Sequence, residues 1–454
     1  MHTVFAAPDA SAIPVYLATE ASWPNLAATL PDAVSAFAET MDFKAGAGTR
    51  VVVAGEAGAI AAVLYGVGDG QDRLAVAGLA SNLPAGVYQI ATHPDDWTIA
   101  HIATGWADGA YRFGRYLSTR YDPPKLVLPE GEALSRIAEA VDLVRDLVNT
   151  PAADMGPDAI ESAIRAEAKT FGASVTATIG DELLTENYPM IHAVGRAATV
   201  PPRLVELSWG DESHAELAIV GKGVSFDSGG LNIKTGSYMR IMKKDMGGAA
   251  HAIGLARLVM GAGLPVRLKL YIPTVENAIA GNAFRPGDVL STRKGKTVEI
   301  DNTDAEGRLI LGDALTKASE SSPDLIVDFA TLTGAARVAL GPDLAPVYTD
   351  DEALAADILE SAAAVGDPSW RMPIWPAYQS MLKSSVADMV NSASSGMAGS
   401  ITAALFLKNF VDAPRWVHLD VWAWREVKYG RPAGAAACGL RAIWGMLQKR
   451  YAKG

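Results

Sequence analysis

The chain has 454 residues, 49% of them hydrophobic and 20% charged, which excludes wholesale disorder and gives ample apolar material for more than one core. A formal net charge of −12 argues against a general nucleic-acid binder, which needs a basic surface. One cysteine, Cys438, rules out an intrachain disulfide or a thiol metal cluster and points to a reducing cytoplasm.

In chain order, Met1-His2-Thr3-Val4-Phe5-Ala6-Ala7-Pro8 lacks the basic stretch and long apolar run of a signal peptide. No apolar run is long enough to span a membrane. Residues 1–130 mix short apolar runs, such as Val51-Val52-Val53-Ala54 and Ala61-Ala62-Val63-Leu64-Tyr65, with turns rich in Gly, Pro and Asp. Gly66-Val67-Gly68-Asp69-Gly70 has neither the third glycine nor the acidic marker of a dinucleotide loop, so it reads as a turn. Leu134, Ile137, Val141, Val144 and Val148 recur at helical spacing and predict a helix with one apolar face that ends before Pro151. The expected division is therefore an N-terminal α/β domain over 1–150, ending in this connecting helix, and a second domain over 151–454. In the second, candidate strands at 204–207, 217–220, 268–272, 298–300, 325–329 and 417–421 alternate with candidate helices at 248–260, 307–320 and 401–411. Such alternation predicts an α/β fold with a mostly parallel or mixed central sheet flanked by helices.

Two stretches of this second half carry chemistry. Asn302-Thr303-Asp304-Ala305-Glu306-Gly307-Arg308-Leu309 sets two carboxylates and a guanidinium within eight residues. On an extended segment Asp304 and Glu306 face the same way, and carboxylates aimed together repel unless they share a cation or a proton. Taken alone, the stretch serves equally well as a solvated turn, because Asp, Asn, Thr and Gly are ordinary turn residues. Upstream, the apolar Leu217-Ala218-Ile219-Val220 leads into a glycine-rich stretch over 221–230 whose spacing is not that of a phosphate loop. With the residues that follow, it adds two carboxylates, Asp227 and Asp245, and two lysines, Lys222 and Lys234.

Both stretches resemble the leucyl aminopeptidases, the M17 family of cytosolic exopeptidases. The octapeptide at 302–309 is that family's most specific motif, and the patterns over 221–234 and 244–249 are intact as well. Asn149-Thr150-Pro151, Asp328-Phe329-Ala330-Thr331-Leu332-Thr333-Gly334-Ala335, the 400–407 stretch and Trp416-Val417-His418-Leu419-Asp420 also match, so the resemblance runs from about 145 to 450. It implies an enzyme that releases N-terminal, leucine-like residues from peptides, a smaller α/β N-terminal domain, a homohexamer and a cytoplasmic location.

The resemblance also implies roles. Lys222, Asp227, Asp245, Asp304 and Glu306 become ligands of two divalent metals per subunit, Mn²⁺ or Zn²⁺, with Asp227 and Glu306 bridging and a bridging hydroxide as nucleophile. Four carboxylates suit the charge of two dications, and a lysine can ligate only as a neutral amine. Lys234 becomes the stabiliser of the tetrahedral oxyanion, and Arg308 the holder of a bicarbonate ion. Met242, Thr331 and Gly334 correspond to the pocket for the first side chain. A soft methionine wall suits leucine-like residues, although core packing accounts for Met242 as well. Val421-Trp422-Ala423-Trp424 and the 435–439 stretch depart from the better-known members, which leaves the preferred amino acid open.

Two other functions compete. A two-metal phosphoesterase would more often bring histidine ligands, and none falls in these motifs. A regulatory protein on the same fold would show a broken ligand set, yet every implied ligand, Lys234 and Arg308 are present. The seven histidines, His251 and His418 among them, read as structural.

Overall fold

The computed structural model describes residues 1–129, 131–393, 395–425 and 432–452. The chain forms two units, one of Met1–Asp142 with Arg425–Gly434 and one of Leu143–Trp424 with Ala435–Gly454. The division falls inside the helix Glu132–Asn149. Among the described residues, no helix is long and apolar enough to cross a membrane.

The smaller unit is built on strands β1 (Phe5–Ala6), β2 (Ile13–Ala18), β3 (Arg50–Ala54), β4 (Ile60–Gly66), β5 (Gly86–Thr92) and β6 (Pro124–Val127). Their order is β1-β6-β5-β2-β4-β3, with parallel pairing except between β3 and β4. Val51 and Val53 on β3 are buried while Arg50, Val52 and Ala54 are exposed, the period-two pattern of an edge strand with one covered face. Apolar clusters lie on both faces of this sheet. One gathers Val15, Val63, Tyr88, Ile102 and Trp106, the other Leu30, Val34, Val51 and Leu64.

The larger unit contains β7 (Ser174–Ile179), β8 (Arg203–Trp209), β9 (Glu216–Gly221), β10 (Gly223–Asp227), β11 (Arg267–Asn277), β12 (Val289–Ser291), β13 (Thr297–Glu299), β14 (Leu325–Ala330), β15 (Ala345–Tyr348), β16 (Ser369–Met372), β17 (Met389–Val390) and β18 (Trp416–Asp420). The main sheet has the order β16-β15-β18-β14-β9-β11-β8-β7, with β10 also paired to β11, while β12, β13 and β17 form a small second sheet. Pairing is parallel from β18 through β14 and β9 to β11, and antiparallel at β8, so the sheet is mixed. Strands β9, β14 and β18 are buried at every position, which explains their near-continuous apolar runs. The charged exceptions are paired: His418 Nδ1 lies 2.6 Å from Asp328 Oδ1, and Trp416 Nε1 donates to Asp328 Oδ2 at 2.6 Å. Burial opposes the charged ring, but the Asp328 carboxylate holds the His418 pKa above its ordinary value.

Helices Gly247–Gly261 and Glu306–Ser319 pack on β9, β11 and β14, and nearly all their residues are buried. The candidate strands and helices read from the sequence are present here, with ends that differ by a few residues. The glycine-rich stretch after 217–220 includes a further strand, β10, and Lys222 is the one residue between β9 and β10.

His251, in the first of these helices, is fully buried; its Nδ1–H donates to Gly247 O at 2.6 Å, and its Nε2 accepts from Cys438 N at 3.1 Å. Burial drives its pKa from the usual 6.5 down to about 4. The folded state therefore binds this proton less readily than the unfolded chain, and stability falls as pH drops from 6.5 towards 4. The loss from this one ring is about 3 kcal/mol. Denaturant melts should show the stability gap between wild type and His251→Gln narrowing by about that amount from pH 7 to pH 4. A gap that does not change with pH would show that the ring titrates as it does in water.

Candidate active site

The site is assembled at the carboxyl ends of central strands, where open α/β sheets place their ligands. Lys222 follows β9, Asp227 ends β10 and Thr331 follows β14. Asp245 lies in the turn Met242–Met246 ahead of the helix Gly247–Gly261, and Glu306 opens the helix Glu306–Ser319. Asp227, Asp245 and Glu306 are all buried, and each offers a carboxylate oxygen within 4.8 Å of the other two.

Two ammonium groups are set into this cluster. Lys222 Nζ lies 2.8 Å from Asp245 Oδ2 and 2.9 Å from Glu306 Oε1, and donates to Thr331 O at 2.8 Å. Lys234 Nζ lies 2.7 Å from Asp227 Oδ2 and 2.5 Å from Asp304 Oδ1. Burial, followed by the charge of Asp227, pushes the Glu306 carboxyl up to about 8 and the Asp304 carboxyl up to about 6. For both lysines burial works against the ammonium, but the surrounding carboxylates outweigh it and hold the pKa above the usual lysine value. The cluster is short of positive charge, and Glu306 Oε2 is buried with no hydrogen-bond partner. A divalent cation fits such a donor set.

The extended comb expected at 304–308 is not what forms. Residues 303 and 304 lie in a turn, Ala305 precedes the helix, and Glu306 and Arg308 belong to its first turn. Asp304 consequently meets Lys234, while Glu306 joins Asp227 and Asp245. Gly307 permits this entry, because a Cβ there would stand 2.3 Å from Lys222 Cε. Gly229, at φ +87, is a second obligatory glycine, since its Cβ would meet Asn232 O at 2.4 Å.

Two amides that sequence reasoning missed fasten the site. Asn277 Nδ2 donates to Asp227 Oδ1 at 2.8 Å and to Thr303 O at 3.0 Å. Asn391 accepts from Asp301 N and Asn302 N, donates to Asn302 O at 2.7 Å, and its carbonyl accepts from Arg308 Nη1 at 2.6 Å. Arg308 Nε is buried without a partner, and burial lowers the guanidinium pKa to about 10. The 331–334 wall is held by Asp420, which accepts from Leu332 N at 2.9 Å, Thr333 N at 3.1 Å and Thr333 Oγ1 at 2.6 Å. The expected ligands, Lys234, Arg308, and the pocket residues Met242, Thr331 and Gly334 all line one cleft of about 560 Å³. Lys244, Arg337 and Trp422 share that lining and had no role assigned from the sequence.

The catalytic-domain model of the cytosol aminopeptidase family matches residues 142–444, and the M17 aminopeptidase N-terminal-domain model matches residues 13–129. Peptidase B of Enterobacter sp. (strain 638) is 42% identical over 319 residues, covering 68% of this chain and 74% of that protein. Among solved structures, the cytosol aminopeptidase from Coxiella burnetii is 43% identical with a TM-score of 0.92, covering 98% of each chain. The bottromycin maturation enzyme BotP in complex with Mn is 33% identical with a TM-score of 0.86, covering 97% of this chain and all of that one. The chain belongs to the M17 cytosol aminopeptidase family and is a metal-dependent aminopeptidase, a hydrolase acting on peptides.

Proposed function

We propose that the chain removes amino-terminal residues one at a time using two divalent cations, manganese or zinc, held by Lys222, Asp227, Asp245, Asp304 and Glu306, with Asp227 and Glu306 reaching both. The observation that carries this reading is the buried cluster of Asp227, Asp245 and Glu306, with oxygens within 4.8 Å of one another and Glu306 Oε2 left unpartnered. Cations bound there would supply Lewis acidity, acidifying a water for attack and polarising the scissile carbonyl.

The protein's own groups do the rest. Lys222 offers a lone pair only after losing the proton that Asp245 and Glu306 stabilise, so loading the site releases protons. The Lys234 ammonium, in the cleft wall, is the donor for the oxyanion of the tetrahedral intermediate. Arg308 presents an unpartnered N–H to a planar anion such as bicarbonate, which would carry the proton that a histidine carries elsewhere. Met242, Thr331 and Gly334 receive the first side chain, and a methionine wall suits leucine- and methionine-like residues. Assembly into a homohexamer is what the family resemblance implies, and Trp370, Trp375 and Tyr378, each exposed in the larger unit, are side chains that a partner subunit would cover. A cytoplasmic location accords with the single cysteine, Cys438.

The testing experiment compares one peptide with a free and an acetylated amino terminus. A neutral α-amine can fix the scissile carbonyl in place, and such positioning is worth several kcal/mol of barrier. The free peptide should be shortened stepwise and the acetylated one left nearly intact. Comparable turnover of the two would overturn the exopeptidase assignment.

A further inference from the structure

Lys222 is held by three acceptors, and one of them is not a carboxylate. Its Nζ lies 2.8 Å from Asp245 Oδ2 and 2.9 Å from Glu306 Oε1, and it donates to Thr331 O at 2.8 Å. An ammonium has three donors, so the cluster uses all of them. A lysine that becomes a ligand gives up one proton and keeps two N–H groups. Asp245 and Glu306 are themselves among the proposed ligands, and their oxygens would turn to the cations. The Thr331 carbonyl is neutral and stays available, so it is the acceptor that can keep an N–H of Lys222 through loading. The acceptor that keeps that N–H sets the direction of the lone pair.

This carbonyl is fixed from behind. A peptide unit is planar and trans, so the C=O of Thr331 and the N–H of Leu332 point in opposite directions. The N–H is taken by Asp420 Oδ1 at 2.9 Å. The same oxygen accepts from Thr333 N at 3.1 Å, and Oδ2 accepts from Thr333 Oγ1 at 2.6 Å. Asp420 is the last residue of β18, is 4% exposed, and pairs in register with Ala330, the last residue of β14. Bonds from backbone N–H groups to an ionised carboxylate are stronger than those to a neutral acceptor. The Thr331 side chain adds a second link, since its Oγ1 lies 2.8 Å from Asp245 Oδ1 and 2.9 Å from Asp245 O. One residue thus meets both Lys222 and Asp245, and its following peptide is anchored on Asp420.

We propose that Asp420 is a positioning residue for cation binding: through the 331–332 peptide it aims the Lys222 nitrogen at the metal centre, although its own hydrogen bonds go to residues 332 and 333. This deepens, and rests on, the two-cation reading. Support of the pocket wall alone would give a different result. Loss of a wall support raises KM and leaves cation binding unchanged, whereas loss of a positioning residue weakens a cation before any substrate arrives.

The test strips Mn²⁺ from the loaded full chain with increasing chelator, counts the cations that remain, and records kcat and KM for a leucyl amide. Wild type should hold two cations. Asp420→Ala should hold one of them about 10–100-fold more weakly, the usual cost of losing a group that orients a ligand. The other cation should leave as it does from wild type, and excess Mn²⁺ should restore most of kcat. Asp420→Asn, which keeps an acceptor oxygen for the Leu332 and Thr333 amides, should retain both cations. Lys222→Ala should weaken the same cation as Asp420→Ala. The double variant should fall well short of the product of the two single losses, because one residue acts through the other. Melting curves of the metal-free variants report on folding, and Asp420→Leu keeps the side-chain volume should the alanine variant fold poorly. Losses that multiply in the double variant would overturn the proposal. So would an Asp420→Ala protein that keeps both cations as tightly as wild type and only raises KM, which would leave Asp420 as a support of the pocket wall. Fewer than two cations in loaded wild type would defeat the two-cation reading, and the proposal with it.

Discussion

Glu306→Ala should abolish hydrolysis, lowering kcat/KM by about 10³-fold or more, and should cost the protein at least one of its two cations. The estimate follows from a cation's worth of several kcal/mol in transition-state charge, at about 1.4 kcal/mol per tenfold. Glu306 is 1% exposed, with Oε1 2.9 Å from Lys222 and Oε2 unpartnered, so both oxygens are available to a shared pair of ions. Its position as the first residue of a buried helix fixes the carboxylate in place, and no described neighbour can substitute for it. Asp227→Ala should behave in the same way, because Asn277 clamps that carboxylate from behind and leaves Oδ2 facing Lys234. Asp245→Ala should mainly weaken one ion. Removing a carboxylate from a crowded acidic cluster does not destabilise the metal-free fold through charge, so metal-free Glu306→Gln should melt no lower than metal-free wild type. Elemental analysis of the purified variants decides the matter: two full equivalents retained by the Glu306 variant would sink its bridging role.

Much of this arrangement was legible in the sequence, and the exceptions have physical reasons. Asp227, Asp245 and Glu306 could be named because the stretches that carry them resemble the motifs of the family; taken alone, the 302–309 stretch served equally well as a solvated turn. The geometry of 302–308 could not be read from residue spacing. That spacing is compatible with an extended comb, and the decisive contact is between Gly307 and a lysine eighty-five positions earlier in the chain, Lys222. Asn277 and Asn391 are single amides in otherwise unremarked segments. Their importance arises from bonds across 50 and 83 positions, to Asp227 and Arg308, which no local pattern announces. Lys243 and Lys244 are adjacent and chemically identical, yet one bonds the Asn149 carbonyl while the other lies against Trp422. Apolar patterning assigned the larger elements, because those are the segments the fold buries. It could not assign β10, whose five residues follow a strand that ends only two positions earlier.

The two lysines of the cluster should separate cleanly under mutation. Lys222 is 3% exposed and is held by Asp245, Glu306 and the Thr331 carbonyl, three contacts that fix its nitrogen where a ligand atom is needed. Lys222→Ala should therefore lower cation occupancy, with activity falling in proportion. Lys234 is more open, with 14% of its side chain exposed, and follows the loop closed by its own N–H to Ser228 O at 3.0 Å. Its ammonium touches Asp227 and Asp304 but is displaced from the pair Asp245–Glu306 that surrounds Lys222. In Lys234→Ala those two carboxylates lose a competing cation, so metal should bind at least as tightly as in wild type. What disappears is a donor for charge that develops only during reaction, and removal of one such donor costs about 10²–10³-fold in kcat with little change in KM. Metal analysis beside steady-state kinetics reads both effects at once. If the two variants lose metal equally, or neither does, the roles given to these lysines are exchanged or wrong. The asymmetry matters because both lysines now hold ammonium pKa values above the ordinary one, and only the one that gives up its proton on loading can serve as a ligand.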